Sequence, residues 1–199
     1  MSTLTVLLVA AALVGIAAVL VHNRLVALRA RVANAYAQID VQLQRRHELV
    51  PNLVETAKGY LRHERDTLVA VTEARDDAER RRRAVGPGGT AEGTDGALDA
   101  LAGAERALSG ALGRLRVVME AYPEIRADAH LRELADDLES TENRVAYARQ
   151  AYSDAVMAFN TFQRQFPAVL VARLTNVTEA AQFEPASVRA REPVAVSFA

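Results

Sequence analysis

The sequence contains no cysteine and no tryptophan, and its only aromatic residues are five tyrosines and five phenylalanines among 199 residues. The missing cysteines exclude disulfides, thiolate metal sites, thiol catalysis and a lipid anchor attached through cysteine. A chain in which half of the residues are apolar but few are aromatic favours long helices over a sheet. The net charge of −1 argues against a nucleic-acid-binding protein, which would carry a strong basic surplus.

One long apolar run is present, from Leu4 to Val21, interrupted only by Thr5 and Gly15. Its eighteen residues would form a helix of about 27 Å, close to the roughly 30 Å of a bilayer's hydrocarbon core. A histidine and three arginines follow it within ten residues, whereas no charged side chain precedes it. The positive-inside rule then predicts an external N-terminus and a cytoplasmic remainder. A cleaved signal peptide is the alternative, but its basic N-terminal region is absent. We therefore predict a single-pass signal-anchor at residues 1–22.

An apolar stripe with alternating spacings of four and three predicts that the anchor helix continues into the soluble part. The stripe consists of Val32, Tyr36, Ile39, Leu43, Val50, Leu53, Ala57 and Tyr60. Arg46 lies on the same seam, where a charge must be paired, reach water along its stem, or mark a change of register. Pro51 lacks an N–H and predicts a kink or short break around Val50–Asn52, after which the helix resumes and ends at Arg80–Arg83.

Two further helices are predicted after a glycine-rich loop at Gly86–Gly96. The second carries a leucine seam that Glu105 interrupts once, and Pro123 ends it. Asp128 is expected to cap the third helix, whose apolar positions step by three and four from Leu131 to Phe166. Three such seams joined by short connections predict an all-α protein: a transmembrane helix followed by an antiparallel up-down-up bundle of long helices with coiled-coil packing.

The predicted domains are the anchor at residues 1–22, the bundle at 23–166 and an irregular tail at 167–199. The tail has no sustained period but is too apolar to be solvated throughout. We expect it to be partly ordered against the bundle, with the stretch at residues 185–191 loose.

The sequence contains no recognisable catalytic or metal-binding constellation. His47 and His63 are sixteen residues apart and point to nearly opposite sides of one helix, so they cannot form a zinc pair. No histidine follows a glutamate at the spacing of a di-iron bundle site, and no phosphate loop, nucleotide fingerprint or nucleophile elbow occurs. We therefore predict no enzyme activity, no cofactor, no metal and no small-molecule substrate.

Polar residues on or beside the helix seams are the candidate partner-binding residues. They are Arg45, Arg46, His47, Asn52, Glu55, Glu142, Asn143, Arg149 and Asn160. Near the proline, four of them could meet freed backbone carbonyls or a partner; the alternative is a kinked helix with solvated arginines. For the set as a whole, one interpretation is register-setting pairs between helices, which give up stability for uniqueness. The other is an acidic and amide-rich groove that recognises a segment of a protein partner.

Four segments of the chain resemble the LemA family of bacterial membrane proteins. They are IDVQLQRRHELVPNLVETAKGYLRHE at Ile39–Glu64, GALGRLRVVMEAYPEIRA at Gly110–Ala127, ESTENRVAYARQAYSDAVMAFNTFQRQFP at Glu139–Pro167 and, more weakly, EPVAVSF at Glu192–Phe198. The resemblance implies a single-pass cell-membrane protein with an antiparallel helical bundle and without an enzymatic activity, metal or cofactor. Scaffolding at the membrane is the role usually suggested for the family. The residues that match the family's pattern are Arg45, Arg46, Pro51, Asn52, Gly59, Tyr60, Glu142, Asn143, Arg149, Tyr152 and Asn160.

Two functional hypotheses follow from a tethered bundle without a catalytic constellation. In the first, the protein is a membrane-anchored scaffold or adaptor that presents a polar surface to an unidentified protein partner near the cytoplasmic leaflet. In the second, it assembles with itself and organises the membrane. Gly15 and the many alanines of the anchor would let transmembrane helices approach closely in such a homo-oligomer.

Overall fold

The computed structural model describes residues 3–86 and 95–183, and within these ranges it is helical without strands. Its helices are α1 (Thr3–Lys58), α2 (Arg65–Val85), α3 (Asp95–Glu120), α4 (Pro123–Ala127), α5 (Ala129–Arg164) and α6 (Ala168–Leu174). The predicted all-α helical bundle is confirmed. Most of the Gly86–Gly96 loop, the 185–191 stretch and the EPVAVSF segment lie outside the described residues.

Helix α1 contains both the apolar run and the first helix of the bundle. Its 56 residues span about 84 Å. Every residue from Thr3 to Leu20 is exposed, and Val21 is the first to pack against the bundle core. An apolar helix exposed on all sides and long enough to cross a bilayer supports a membrane-anchoring segment.

Of the kink or short break predicted around Val50–Asn52, the break is wrong, because α1 continues through Pro51 to Lys58, and the kink stays a prediction. A proline inside a helix leaves the carbonyl four residues earlier without its usual donor, here that of His47. Arg75 of α2 supplies the replacement, since its Nε donates to the His47 carbonyl oxygen at 3.1 Å. A contact between helices therefore offsets part of the local cost of the proline.

The first helix of the bundle ends at Lys58, seven residues after the proline, so its predicted extension to Arg80–Arg83 is wrong. Residues 59–64 form turns, beginning at Gly59, the poorest helix former apart from proline. The backbone N–H of Leu61 donates to the Ala57 carbonyl oxygen at 2.9 Å, and its side chain is fully buried in the core. The chain reverses here, and α2 returns along α1.

The bundle contains four long antiparallel helices, one more than the three predicted seams. Helix α2 runs antiparallel to α1, since Arg82 pairs with Asp40 while Glu79 pairs with His47 farther along α1. The end of α2 packs in one core cluster with the beginning of α3, and the beginning of α2 packs in the other cluster with the rest of α3, so these two helices are also antiparallel. Helix α5 lies antiparallel along α1, and the Tyr36 and Tyr152 rings meet edge to face with centroids 6.0 Å apart.

The chain after α5 folds back along the bundle as far as it is described. Asn160 donates from Nδ2 to the Ala180 carbonyl oxygen at 3.0 Å and accepts from the Ala180 N–H at 2.9 Å. The Tyr152 hydroxyl donates to the Ala181 carbonyl oxygen at 2.8 Å, and Gln163 donates to that of Val177. At the opposite end of α5, Asp128 accepts from the N–H groups of residues 130 and 131, as predicted for its N-cap.

Candidate functional site

A layer of buried polar side chains crosses the bundle and divides its apolar core into two clusters. Each of the four long helices contributes at least one residue. Among the residues that the structure describes, the buried polar ones are Arg46 and His47 of α1, Glu79 of α2, Glu105 of α3 and Thr141 of α5. Because each of these helices has apolar residues of the core on both sides of the layer, sliding one helix along another would separate buried charges. A change of register between α1, α2 and α3 would therefore cost these pairings.

His47 is the centre of this layer. Its Nδ1 lies 2.8 Å from Oε2 of Glu79, and its Nε2 lies 2.7 Å from Oε1 of Glu105. An ionised carboxylate can only accept a hydrogen bond. The geometry therefore requires a proton on both ring nitrogens, or a proton on one of the two carboxyl groups. In either state a single imidazole joins α1 to α2 and α3.

Arg46 links the same layer to α3 and α5. Its Nη2 donates to Oγ of Ser109 at 2.9 Å, and its Nη1 lies 3.4 Å from Oε2 of Glu105. The same Nη2 is 3.8 Å from the largely exposed carboxylate of Glu142. Of the three alternatives given for a charge on this seam, Arg46 takes the first, because a carboxylate of another helix pairs with it.

Glu79 is held by two arginines as well as by His47. Arg82 donates to it from Nε at 3.1 Å and from Nη2 at 3.2 Å, and Arg83 donates from Nε at 2.8 Å. Arg82 also donates to Asp40 at 2.9 Å. The Arg82 hydrogen bonds lower the pKa of Glu79 to about 2, against the opposing effect of burial and with further help from His47 and Arg83.

Both ring nitrogens of His47 are occupied by carboxylates that lie on opposite sides of the imidazole. Neither nitrogen is free to coordinate a cation together with them. Within the described residues, no group of three or more histidine, aspartate or glutamate side chains is placed to hold a metal ion. The layer is built to pair charges inside the protein.

Arg149 extends the polar layer toward the segment that follows α6. Its guanidinium carbon lies 4.9 Å from the centroid of the Phe183 ring, within the range of a cation–π contact. Burial lowers the pKa of Arg149, partly offset by the charge of Glu105. Arg149 thus fixes the end of the described chain against α5.

The nine predicted partner-binding residues do not form a single surface. Arg46 and His47 are buried and bonded within the chain, Arg149 is half-buried, and Asn160 holds residue 180. The exposed ones are Arg45, Asn52, Glu55, Glu142 and Asn143. Of these, Arg45 pairs with Asp137 at 3.9 Å and Glu55 pairs with Lys58. The sequence placed Arg82 only in the basic cluster Arg80–Arg83 and Glu105 only as an interruption of its seam, and Glu79 was not among the candidate site residues.

A groove between α3 and α5 begins above Arg46. Its first part encloses about 250 Å³, and α1 contributes Arg46 and Leu53 to it. The other apolar lining residues come from α3 and α5: Leu112, Leu115, Met119, Ala135 and Leu138. A second part of about 440 Å³ shares Arg116, Met119 and Ala135 with the first and continues to Ile125 of α4. Together the two parts form one groove, mostly apolar, along the α3–α5 side of the bundle.

The rim of this groove is acidic on balance. Its exposed charged residues are Glu120, Asp136, Glu139 and Glu142, against Arg116 and Arg132. Arg116 hydrogen-bonds with Glu139 from one helix to the other. Of the predicted site residues, Arg46 and Glu142 belong to this groove.

Comparison with known proteins supports the assignment of the chain to a family. The sequence model of the LemA family matches residues 35–198 of this chain. The chain is 27% identical over 176 residues to Magnetosome protein MamQ 2 and to Magnetosome protein MamQ 1 of Paramagnetospirillum magneticum, covering 82% of this chain and 64% of each relative. It is 25% identical over 152 residues to Magnetosome protein MamQ of Magnetospirillum gryphiswaldense, covering 70% of this chain and 56% of that relative. The chain therefore spans less than two thirds of the length of these relatives. A match over most of its length, together with the helical bundle, shows that this chain belongs to the LemA family.

Proposed function

We propose that this LemA family protein is a membrane-anchored adaptor that binds a helical segment of another protein in the α3–α5 groove. The observation that carries the proposal is the groove itself, which has an apolar floor and a charged rim. An amphipathic helix laid into such a groove buries its apolar face and leaves its polar face in water. Helix α1 would tether this groove to the membrane from the far end of the bundle, since Arg46 lies 25 residues after Val21, about 38 Å along the helix.

The groove favours a partner helix of particular chemistry. Leu53, Leu112, Met119 and Leu138 offer contacts to apolar side chains spaced three and four residues apart. Four rim carboxylates against two arginines favour lysine or arginine at the edges of the partner helix. We therefore propose a basic amphipathic helix as the partner.

The buried layer supports this role indirectly. His47 and Arg46 hold α1, α2, α3 and α5 in one register, so the walls of the groove are preorganised. A preformed groove spends less binding energy on ordering itself. The proposed role involves no catalysis, and the names of the MamQ relatives state no reaction. Because arginines follow the apolar run, the positive-inside rule favours a cytoplasmic bundle, and we propose that location.

Site-directed crosslinking tests the adaptor proposal, because the chain has no cysteine of its own. Met119→Cys places a thiol in the groove, and a thiol-attached benzophenone can then capture a neighbour in native membranes. Val117→Cys is the matched control: it lies two residues earlier on α3, is 68% exposed and is outside the groove lining. The proposal predicts crosslinks from position 119 to a basic amphipathic segment of another protein, without the same product from position 117.

Two other outcomes decide against the adaptor. Equal crosslinking from positions 117 and 119 would show that the groove selects nothing. A product from position 119 that consists only of this chain would refute a partner of another sequence and support self-assembly.

Self-assembly is the second candidate, favoured by an apolar face formed by α1 and α5. Tyr147 is 77% exposed and Val41 is 60% exposed, and they border a shallow groove of about 570 Å³ together with Ala37 and Ala151. Exposed aromatic residues beside a groove are common at interfaces between protein chains. If this face joins two copies, Tyr147→Glu should lower the mass of the full chain in sedimentation from mild detergent, whereas the exposed-site control Val117→Glu should not.

A further inference from the structure

Three large apolar side chains form an exposed stripe at the end of the bundle that adjoins the apolar run. Phe166 is 81% exposed, Leu170 is 51% exposed and Leu174 is 84% exposed. Leu170 and Leu174 are four residues apart on one face of α6, and Phe166 lies in the turn that leads into this helix. The opposite face of α6 packs on the bundle through the buried Ala168 and Ala172.

The pairing of α1 with α5 shows where this stripe lies relative to the apolar run. Tyr36 lies beside Tyr152, and α1 and α5 run antiparallel. Following both helices to the end of the bundle brings Arg24 beside Gln165, with which it lines a shared surface cleft. Helix α6 contacts α1, and Val21 packs against the same cluster as the buried face of α6.

We propose that the stripe Phe166–Leu170–Leu174 binds the lipid bilayer beside the anchor, as a second membrane contact. The stripe lies at the level where the apolar run of α1 ends, so it continues a surface that is already apolar and exposed. An apolar helical face at the boundary of head groups and acyl chains buries its side chains there. The occupant of the stripe is the acyl-chain region of the adjacent leaflet.

Charged side chains at the same end fit this placement. Arg24 and Arg173 are exposed, and neither forms an ion pair with another of the described residues. Cations beside an apolar face suit the anionic head groups of a bilayer surface. With α1 and α6 both bound, the bundle would be held at a fixed angle to the membrane, whereas α1 alone would leave it free to swivel.

Tryptophan fluorescence tests the proposal in the full chain, because no native tryptophan interferes. Leu170→Trp and, separately, Leu174→Trp place a reporter on the stripe at exposed positions, so neither change disturbs the core. The variants are reconstituted in vesicles of phosphatidylcholine and phosphatidylglycerol, with or without brominated acyl chains that quench tryptophan on contact. Leu13→Trp in the apolar run is the positive control, and the exposed Val117→Trp on α3 is the negative control.

Lipid contact predicts blue-shifted emission from the tryptophan at position 170 or 174 and a loss of intensity in brominated vesicles that approaches the loss at position 13. Unquenched, red-shifted emission at both stripe positions, equal to that at position 117, would overturn the proposal. Blue-shifted emission without quenching would also overturn it, because the stripe would then be covered by protein, either this chain or a second copy.

Discussion

Replacing Glu105 by glutamine tests the buried layer most severely. This carboxylate has no solvent exposure and faces His47 Nε2 at 2.7 Å and Arg46 Nη1 at 3.4 Å. Glutamine keeps the size of the side chain, but its amide has one acceptor and one donor end. When His47 carries a proton on Nε2, its N–H and that of Arg46 compete for the single amide oxygen, and in either state of His47 the buried guanidinium of Arg46 loses the negative charge that it faces.

The expected loss of stability follows from breaking a buried pair while leaving its partners in place. Such changes cost about 3–5 kcal/mol. For a chain of this size, each kcal/mol lowers the melting temperature by about 2–4 °C, so Glu105→Gln should lower it by roughly 6–20 °C. The assay is thermal unfolding of the full chain in mild detergent, followed by far-ultraviolet circular dichroism.

Two further variants make the result interpretable. Glu48→Gln changes an exposed glutamate of α1 that bonds only to Gln44 among the hydrogen bonds described, and should alter stability by at most about 0.5 kcal/mol. Adding Arg46→Met to Glu105→Gln removes the buried cation that has lost its carboxylate. The double variant should therefore lose less stability than the sum of the single changes. A Glu105→Gln melting temperature equal to that of Glu48→Gln would refute the buried layer.

Three other predictions follow from the contacts of the bundle. The folded-state pKa of Glu79 is lowered to about 2, so its carboxylate stabilises the fold above its ordinary pKa of 4.5, and this contribution of roughly 3 kcal/mol is lost as the pH falls toward 2. Glu79→Gln should therefore weaken the fall of the melting temperature between pH 4.5 and pH 2. An unchanged fall would contradict this prediction. Arg75→Ala should lower the free energy of unfolding by about 1 kcal/mol, because the His47 carbonyl loses its donor. The loss should be smaller in a Pro51→Ala background, where the helical N–H is restored. Equal losses in both backgrounds, measured by urea unfolding, would refute that compensation. Asn160→Ala should speed amide hydrogen exchange in residues 177–183 by removing both bonds to residue 180, and unchanged exchange would show that these bonds do not hold the segment.

The apolar seams predicted most of the fold because periodicity reports which side of a helix is buried. The apolar run, the long α5 and its Asp128 cap were all readable in this way. Periodicity does not report where a helix ends when the seam continues past that end. Leu61 kept the spacing of the stripe, yet its side chain enters the core from a turn that follows Gly59.

At Pro51 the sequence predicted an interruption of a helix that continues. The hydrogen bond that a proline removes can be read from its own helix, but the replacement donor comes from another helix. The donor to the His47 carbonyl is Arg75, and the sequence does not show that α2 brings that side chain back to α1. The buried layer could not be predicted for the same reason, since its contacts join different helices. The position of Arg46 on the seam indicated that it needed a partner, but Glu105 and Glu79 become recognisable only when the register of all four helices is known.

The measurement that tests the adaptor role most directly is affinity purification of the full chain from gently solubilised native membranes, in three forms compared side by side. These are the unchanged protein, Met119→Glu within the groove, and Val117→Glu on the exposed face of the same helix. The adaptor proposal predicts that one partner is recovered in stoichiometric amount with the unchanged protein and with Val117→Glu. The partner should be lost with Met119→Glu, while circular dichroism shows all three forms equally helical. A partner retained equally by all three forms, or recovery of this chain alone in each, would contradict it.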